Sequence, residues 1–283
     1  MELWFTEQQD EDVKFSIKVD RPILSTQSKY QRIDIFSSKE FGKVLVLDGC
    51  LMVTEKDEYI YHEMITHTAL SVNPEIKSVL VIGGGDGGTV RELCKYHTIE
   101  RIDLVEIDAD VVKYSKEHLQ FTACSLDDPR VSIYIEDGLP FVRKKTGEYD
   151  LIIVDSTDPF GPGESLFTKE FYGNCHNALT DDGILINQHE STFYKSYRDE
   201  MERTHRKIAS IFEIAKVFQA HIPTYPSGHW LFGFASKKYH PINDFKPEMF
   251  KKTGIKTKYY NEWLHKGSFY LPNNVKECLE LDE

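Results

Sequence analysis

The sequence predicts an α/β protein: a doubly wound, mostly parallel sheet preceded by a small antiparallel β unit. Three observations carry this. Apolar runs of strand length alternate with helix-like segments from residue 58 onward. The first such run, Ser78–Ile82, breaks into a glycine loop, Gly83-Gly84-Gly85-Asp86-Gly87-Gly88. Residues 1–57 carry instead a period-2 pattern interrupted by turn residues.

In that leading unit, Val13–Val19 and Gln31–Phe36 alternate apolar and polar, and Gly42–Leu47 is largely apolar. Turns are expected at Ser37-Ser38 and Asp48-Gly49. Such a unit is too small to be stable alone and is expected to pack on the main domain or on a second subunit. We therefore divide the chain into an N-terminal β-strand domain, 1–57, and a main domain, 58–283. The main domain opens with a helix, Tyr59–Leu70, closed by Pro74. Strands follow at Ser78–Ile82, Arg101–Ile107, Val131–Ile135, Asp150–Val154 and Gly183–Asn187, with helices over Thr89–Tyr96, Ala109–His118, Lys169–Leu179 and Tyr197–Phe212. Two late strands, Ile214–Phe218 and Trp230–Ala235, read as an antiparallel hairpin at one edge, making seven strands in all. The tail, Tyr239–Glu283, reads as polar and irregular.

Composition narrows the function classes. The chain has 283 residues, 40% hydrophobic, enough for a full core, and a net charge of −12. That charge argues against nucleic-acid or anionic-membrane partners and suits a cationic small molecule. The five cysteines are scattered without a C-x-x-C pair, which argues against a disulfide scaffold or a zinc site and for a reducing compartment. The first residues lack the basic and apolar regions of a secretory signal, and no apolar stretch reaches membrane-spanning length. A cytoplasmic protein is expected.

The glycine loop fits a nucleotide-binding fingerprint, Gly83-x-Gly85-x-x-Gly88, with one discordant residue. A loop holding pyrophosphate on its N–H groups gains nothing from the carboxylate of Asp86. An acid there suits a phosphate-free nucleoside, and better one with positive charge. Ligands of open α/β sheets sit beyond the carboxyl ends of the strands. There the sequence supplies an acid after every one of the first five strands: Asp86; Glu106, placed to accept from ribose hydroxyls; Asp137, followed by Gly138; Asp155 and Asp158; and Glu190 beside Gln188. A lone acid in such a place also caps helices. Acids at all five positions repel one another unless a cation sits among them, so the rim predicts a cationic ligand or a metal. The glycine loop disfavours phosphate, and hence magnesium; no metal is expected. Tyr61-His62-Glu63 and the rigid turn Ile222-Pro223-Thr224-Tyr225-Pro226-Ser227-Gly228 offer aromatic faces and hydroxyls to an ammonium ion. The Pro/Gly-rich segment Asp158–Phe167 reads as a lid at the rim.

Together these motifs, in this order and spacing along nearly the whole chain, resemble the polyamine aminopropyltransferase family in its spermidine synthase branch. The resemblance implies a Rossmann-like, methyltransferase-type catalytic domain and a homodimer or homotetramer with the N-terminal unit at the contact. It implies that decarboxylated S-adenosylmethionine, a co-substrate rather than a cofactor, gives its aminopropyl group to putrescine, forming spermidine and methylthioadenosine. By the same resemblance Glu106 holds the ribose and Asp137, with Gly138, the adenine. Gln31 and Pro162 complete the nucleoside pocket, and Asp86 binds the donor's amine. Asp155 is the base, and Tyr61, His62, Asp158, Gln188 and Tyr225 line the diamine channel. The charges agree with this independently. Decarboxylation leaves the donor cationic, so Asp86 would favour it over intact S-adenosylmethionine. A protonated diamine cannot attack, so one acid must take a proton while another holds the far ammonium. Rival readings are an NAD-dependent dehydrogenase, an amine methyltransferase using S-adenosylmethionine, a non-catalytic polyamine sensor, and an aminopropyltransferase for another acceptor such as cadaverine or agmatine.

Overall fold

The computed structural model describes residues 2–156 and 161–280. The chain begins with a hairpin of β1 (Leu3–Asp10) and β2 (Val13–Val19). A four-stranded antiparallel meander follows: β3 (Arg21–Gln27), β4 (Arg32–Ser38), β5 (Gly42–Leu47) and β6 (Cys50–Thr54). The Asp48-Gly49 turn forms as expected, with φ of 47° and 86°, the positive pair that a two-residue hairpin of matching twist requires. The first turn comes later than Ser37-Ser38, because those residues still pair with Lys43 and Gly42. Two strands carry no readable alternation. In β1 the inward positions are Glu7 and Gln9, so polar residues occupy the buried face, and β3 is only partly covered on either face. The meander buries Ile33, Ile35, Leu45, Leu47 and Val53 against Val111 and Leu119 of the main domain. Its other face packs on the hairpin through Phe36, Val44, Val46 and Ile17.

The main domain runs α1 (Glu58–Leu70), β7 (Ser78–Gly83), α2 (Gly88–Cys94), β8 (Arg101–Glu106), α3 (Ala109–His118), α4 (Gln120–Ala123), β9 (Val131–Ile135), α5 (Gly138–Arg143) and β10 (Tyr149–Asp155). After a 3-10 segment, Gly161–Phe167, come α6 (Lys169–Ala178), β11 (Leu179–Gln188), α7 (Lys195–Ala209), β12 (Ile214–His221) and β13 (His229–Ser236). These strands form one seven-stranded sheet, ordered β12-β13-β11-β10-β7-β8-β9. All neighbours are parallel except β13, which is antiparallel to β11 and β12, so the expected late hairpin is the sheet's edge. Winding reverses between β7 and β10, and that switch point opens a crevice. Both faces are covered, which is why the strands read as unbroken apolar runs. Val79, Val81, Leu151 and Ile153 face α1 and α2, whereas Leu80, Ile82, Ile152 and Val154 face α5, α6 and α7.

The tail is not irregular. It forms α8 (Pro247–Thr253), α9 (Glu262–Ser268) and α10 (Asn273–Cys278). Each is under two turns of helix and too short for a periodic signal. They are held by tertiary contacts: Leu271, Val275 and Leu279 pack on Met201, Val217 and Leu231. Upstream, buried Glu63 of α1 accepts the backbone N–H groups of Lys258, Tyr259 and Tyr260, each at 2.8 Å. Three amide donors satisfy the buried carboxylate without a counter-charge. Glu63→Gln turns an amide NH2 toward those donors and is expected to lower the unfolding free energy by about 2–3 kcal/mol, read as a lower denaturation midpoint in urea. An unchanged midpoint would rule out this anchor.

Candidate active site

One cavity opens at the carboxyl ends of β7, β8, β9 and β10 and is roofed by Leu45, Leu47, Leu51 and Val53 of the small sheet. It encloses about 1210 Å³, its open mouth included. Among the residues singled out from the sequence, Gln31, Tyr61, His62, Asp86, Glu106, Asp137, Gly138, Asp155, Gln188 and Tyr225 all line it. Asp158 and the side chain of Pro162 lie outside the described residues; of the expected lid, Gly163 and Leu166 line the cavity.

Asp155 ends β10. Its Oδ1 accepts from the Tyr61 hydroxyl at 2.8 Å and its Oδ2 from Thr89 Oγ1 at 2.6 Å. Burial and then the nearby Asp86 carboxylate raise its pKa, against the opposing pull of His62 and these two hydroxyls. Asp86 Oδ1 accepts from Gly88 N–H at 2.9 Å and faces His62 Nε2 at 3.4 Å. Burial works to raise its pKa, but His62 and the Gly88 N–H outweigh burial and hold it low. His62 Nδ1 meets Glu58 Oε2 at 2.6 Å. Burial alone would make this histidine neutral; Asp86 and Glu58 instead raise its pKa to about 10. One atom each of His62, Asp86 and Asp155 lies within 4.8 Å of the others. The cation that the acidic rim required is thus partly supplied by the chain itself.

The second half of the cavity belongs to β8. Glu106 accepts from Gly85 N–H at 3.2 Å and from Asp108 N–H at 2.9 Å. Burial is the largest influence and raises its pKa to about 7 despite those amides. The glycines make room for the protein's own side chains as much as for any ligand. A Cβ on Gly85 would stand 2.8 Å from Glu106 Oε2, and one on Gly88 would stand 2.2 Å from His62 Cε1. Asp137 caps α5 by accepting Leu139 N–H at 2.9 Å while also lining the cavity, so its capping and rim positions are combined. Gln31 reaches across from the small domain, and its Nε2 donates to Asp108 Oδ2 at 3.0 Å. Gln188 donates from Nε2 to Glu190 Oε1 at 2.9 Å. The cavity-facing group of strand β11 is therefore the amide; buried Glu190 stands behind it and does not line the cavity. Tyr225 stacks edge-on against Trp230 at 4.9 Å and donates to the Met52 carbonyl at 2.9 Å.

Sequence reasoning missed Glu7, Thr89, Asp108 and Trp230. Thr89 directly follows the glycine loop and Asp108 stands two residues past Glu106, so position after a strand could have found both. Glu7 lies on a strand without readable alternation, and Trp230 reads only as one more apolar residue of β13.

Comparison with known proteins places the chain. Residues 58–247 match the spermine/spermidine synthase domain and residues 3–55 the spermidine synthase tetramerisation domain, which supports a homo-oligomer. A polyamine aminopropyltransferase of Alkaliphilus oremlandii is 67% identical over 283 residues, covering 100% of both chains. One from Clostridium botulinum is 64% identical over 283 residues, again with 100% of both covered. A spermidine synthase solved in complex with the transition-state analogue AdoDATO has a TM-score of 0.96 and 45% identity, over 98% of this chain and 95% of that one. Thermotoga maritima spermidine synthase has a TM-score of 0.93 and 43% identity, over 99% and 95% of the two chains. These matches overturn the dehydrogenase, methyltransferase and sensor alternatives. The chain belongs to the spermine/spermidine synthase family of polyamine aminopropyltransferases.

Proposed function

We propose that this enzyme transfers the aminopropyl group of decarboxylated S-adenosylmethionine to putrescine, giving spermidine and methylthioadenosine. The observation that carries the reading is the convergence of Asp86 and Asp155 in a cavity that Glu106 and Asp137 also line. A donor with two cations on a neutral nucleoside matches that set of acids. Glu106 accepts from the ribose hydroxyls and Asp137 from the adenine amino group. Gln31, braced by Asp108, and Pro162 close the nucleoside site. Asp86 takes the donor's ammonium and would repel the carboxylate of intact S-adenosylmethionine. A similar protein was solved with the analogue AdoDATO, which supports a nucleoside-linked donor in the same fold.

The acceptor enters beside Asp155. The carboxylate takes one proton from the diamine, and the freed nitrogen lone pair attacks the aminopropyl carbon bonded to sulfur. The C–S bond breaks with its electrons passing to sulfur, which leaves as a neutral thioether. Displacement at carbon needs position, deprotonation and dry surroundings more than further chemistry. Burial raises Asp155's proton affinity, and the Tyr61 and Thr89 hydroxyls hold both its oxygens in place. Asp158, Gln188, His62 and Tyr225 complete the diamine channel, with the Tyr61 and Tyr225 rings 5.9 Å apart. We further propose a cytoplasmic homodimer or homotetramer, joined through the N-terminal domain, residues 1–57, and catalytic through residues 58–283. No described helix is long and apolar enough to cross a membrane.

Incubation with decarboxylated S-adenosylmethionine and a panel of diamines should release methylthioadenosine fastest with the four-carbon diamine; a preference for cadaverine or agmatine would replace putrescine as acceptor. Asp155→Asn should lower kcat by about 10²–10⁴-fold while methylthioadenosine still binds, as expected for loss of a general base. Retained turnover would remove Asp155 from that role. Glu106 supplies a pH test. Ribose hydroxyls donate to its ionised form, so binding favours deprotonation. With the free carboxyl at about 7, methylthioadenosine affinity should rise with pH up to that point and level off above it. Calorimetric titrations showing a flat profile would detach Glu106 from the ribose.

A further inference from the structure

The mechanism above uses His62 and leaves Glu58 and Arg91 without a part. Neither lines the cavity. Glu58 is the first residue of α1 and is buried. Arg91 of α2 grips it bidentately, Nη1 to Oε1 at 2.8 Å and Nη2 to Oε2 at 2.9 Å. Arg91 is itself held by Glu92 Oε1 at 2.9 Å and by the Phe121 carbonyl at 2.5 Å. Glu58 Oε2 meets His62 Nδ1 at 2.6 Å, and the opposite ring nitrogen faces Asp86 Oδ1 at 3.4 Å. An imidazole with a carboxylate oxygen at each nitrogen can donate to both only when it carries both protons. Its ring is held against the glycine loop at Gly88, with the Tyr61 ring edge-on at 5.4 Å.

The groups facing this histidine are few. α1 contributes Glu58 and Tyr61; the glycine loop and α2 contribute Asp86 and Arg91, with Glu92 behind; β10 contributes Asp155. Two half-buried carboxylates this close, Asp86 and Asp155, share a proton unless a cation separates their charges. We propose that Glu58 and Arg91 are positioning residues for aminopropyl transfer: they fix His62 as a permanent cation beside Asp86, so that Asp86 and Asp155 both stand ionised before either substrate arrives. This deepens the proposed function and rests on Asp155 as the base. The consequence is kinetic. A base already charged can take the diamine's proton at neutral pH, whereas a half-protonated pair must first lose its own.

The test is the pH profile of kcat/KM for the diamine, at saturating donor, in the wild type, E58Q, E58D and R91M. Removing the Glu58 charge weakens the hold on His62, and an Asp155 whose pKa rises past neutrality loses about tenfold in activity per pH unit below its new pKa. The ratio of E58Q to wild type should therefore lie several-fold below one at pH 7 and climb toward one by about pH 9 as Asp155 ionises again. R91M should follow the same trend, and E58D should lie near the wild type. A ratio that does not change with pH would assign Glu58 to helix packing alone and overturn the proposal. Nitrogen-15 spectra of histidine-labelled wild type, with His62 assigned from H62N, give a reading that needs no folded Glu58 variant. Imidazolium shifts at pH 8 support the fixed cation, and neutral-tautomer shifts refute it. If D155N stays active in the same assay, the base assignment fails on its own terms, and the spectra still decide whether His62 is charged.

Discussion

The site depends on the parallel pairing of β10 with β7, in which Asp155 stands beside Gly83. That register sets the last residue of one strand against the first of the glycine loop. Here the sheet's winding reverses. The approach is too close for any side chain at Gly83: a Cβ there would lie 2.1 Å from the Asp155 carbonyl oxygen. A one-residue slip would turn Asp155 into a packed layer and bring an apolar neighbour to the crevice. The loop's glycines are consequently a requirement of the protein's own packing, before any ligand is considered.

Packing carboxylates around one cavity raises an electrostatic problem, and the chain meets it in three ways. Asp86 is balanced by His62, which is in turn backed by Glu58 and Arg91, a chain of alternating sign running into the body of the domain. Asp155 is held by hydroxyl donors, which stabilise its charge without neutralising it. Glu106 relies on two backbone amides, and burial still lifts it to about 7. Glu106 and the pair Asp86 and Asp155 therefore differ in how firmly their charge is fixed.

The small N-terminal sheet is a structural part of the site. It roofs the cavity, sends Gln31 to Asp108, and packs its core on α3. The junction is pinned by Asp57, whose Oδ2 accepts from Thr224 N–H at 3.2 Å and from Thr224 Oγ1 at 2.8 Å. The same turn carries Tyr225, whose hydroxyl bonds the Met52 carbonyl at 2.9 Å. The aromatic wall is thus aimed by residues from both domains.

Much of this was legible in the residues themselves. Strand and helix alternation, the glycine loop, the acid after each strand and the Asp48-Gly49 hairpin are local patterns, set by side-chain period and by backbone angles that few residues adopt. They sufficed to bring ten of the named residues to one cavity. What they left open depends on contacts between distant segments. β1 presents Glu7 and Gln9 inward, which no alternation rule anticipates. The tail helices exist because Glu63 and a hydrophobic cluster hold them, not because six or seven residues prefer helix. That Glu190 stands behind Gln188, and that His62 supplies a positive charge among the acids, follow from which atoms meet across the fold. Residue types determined which charges the chain possesses. Their pairing was decided by tertiary structure, because burial and distances of a few ångströms control protonation and neither is encoded locally.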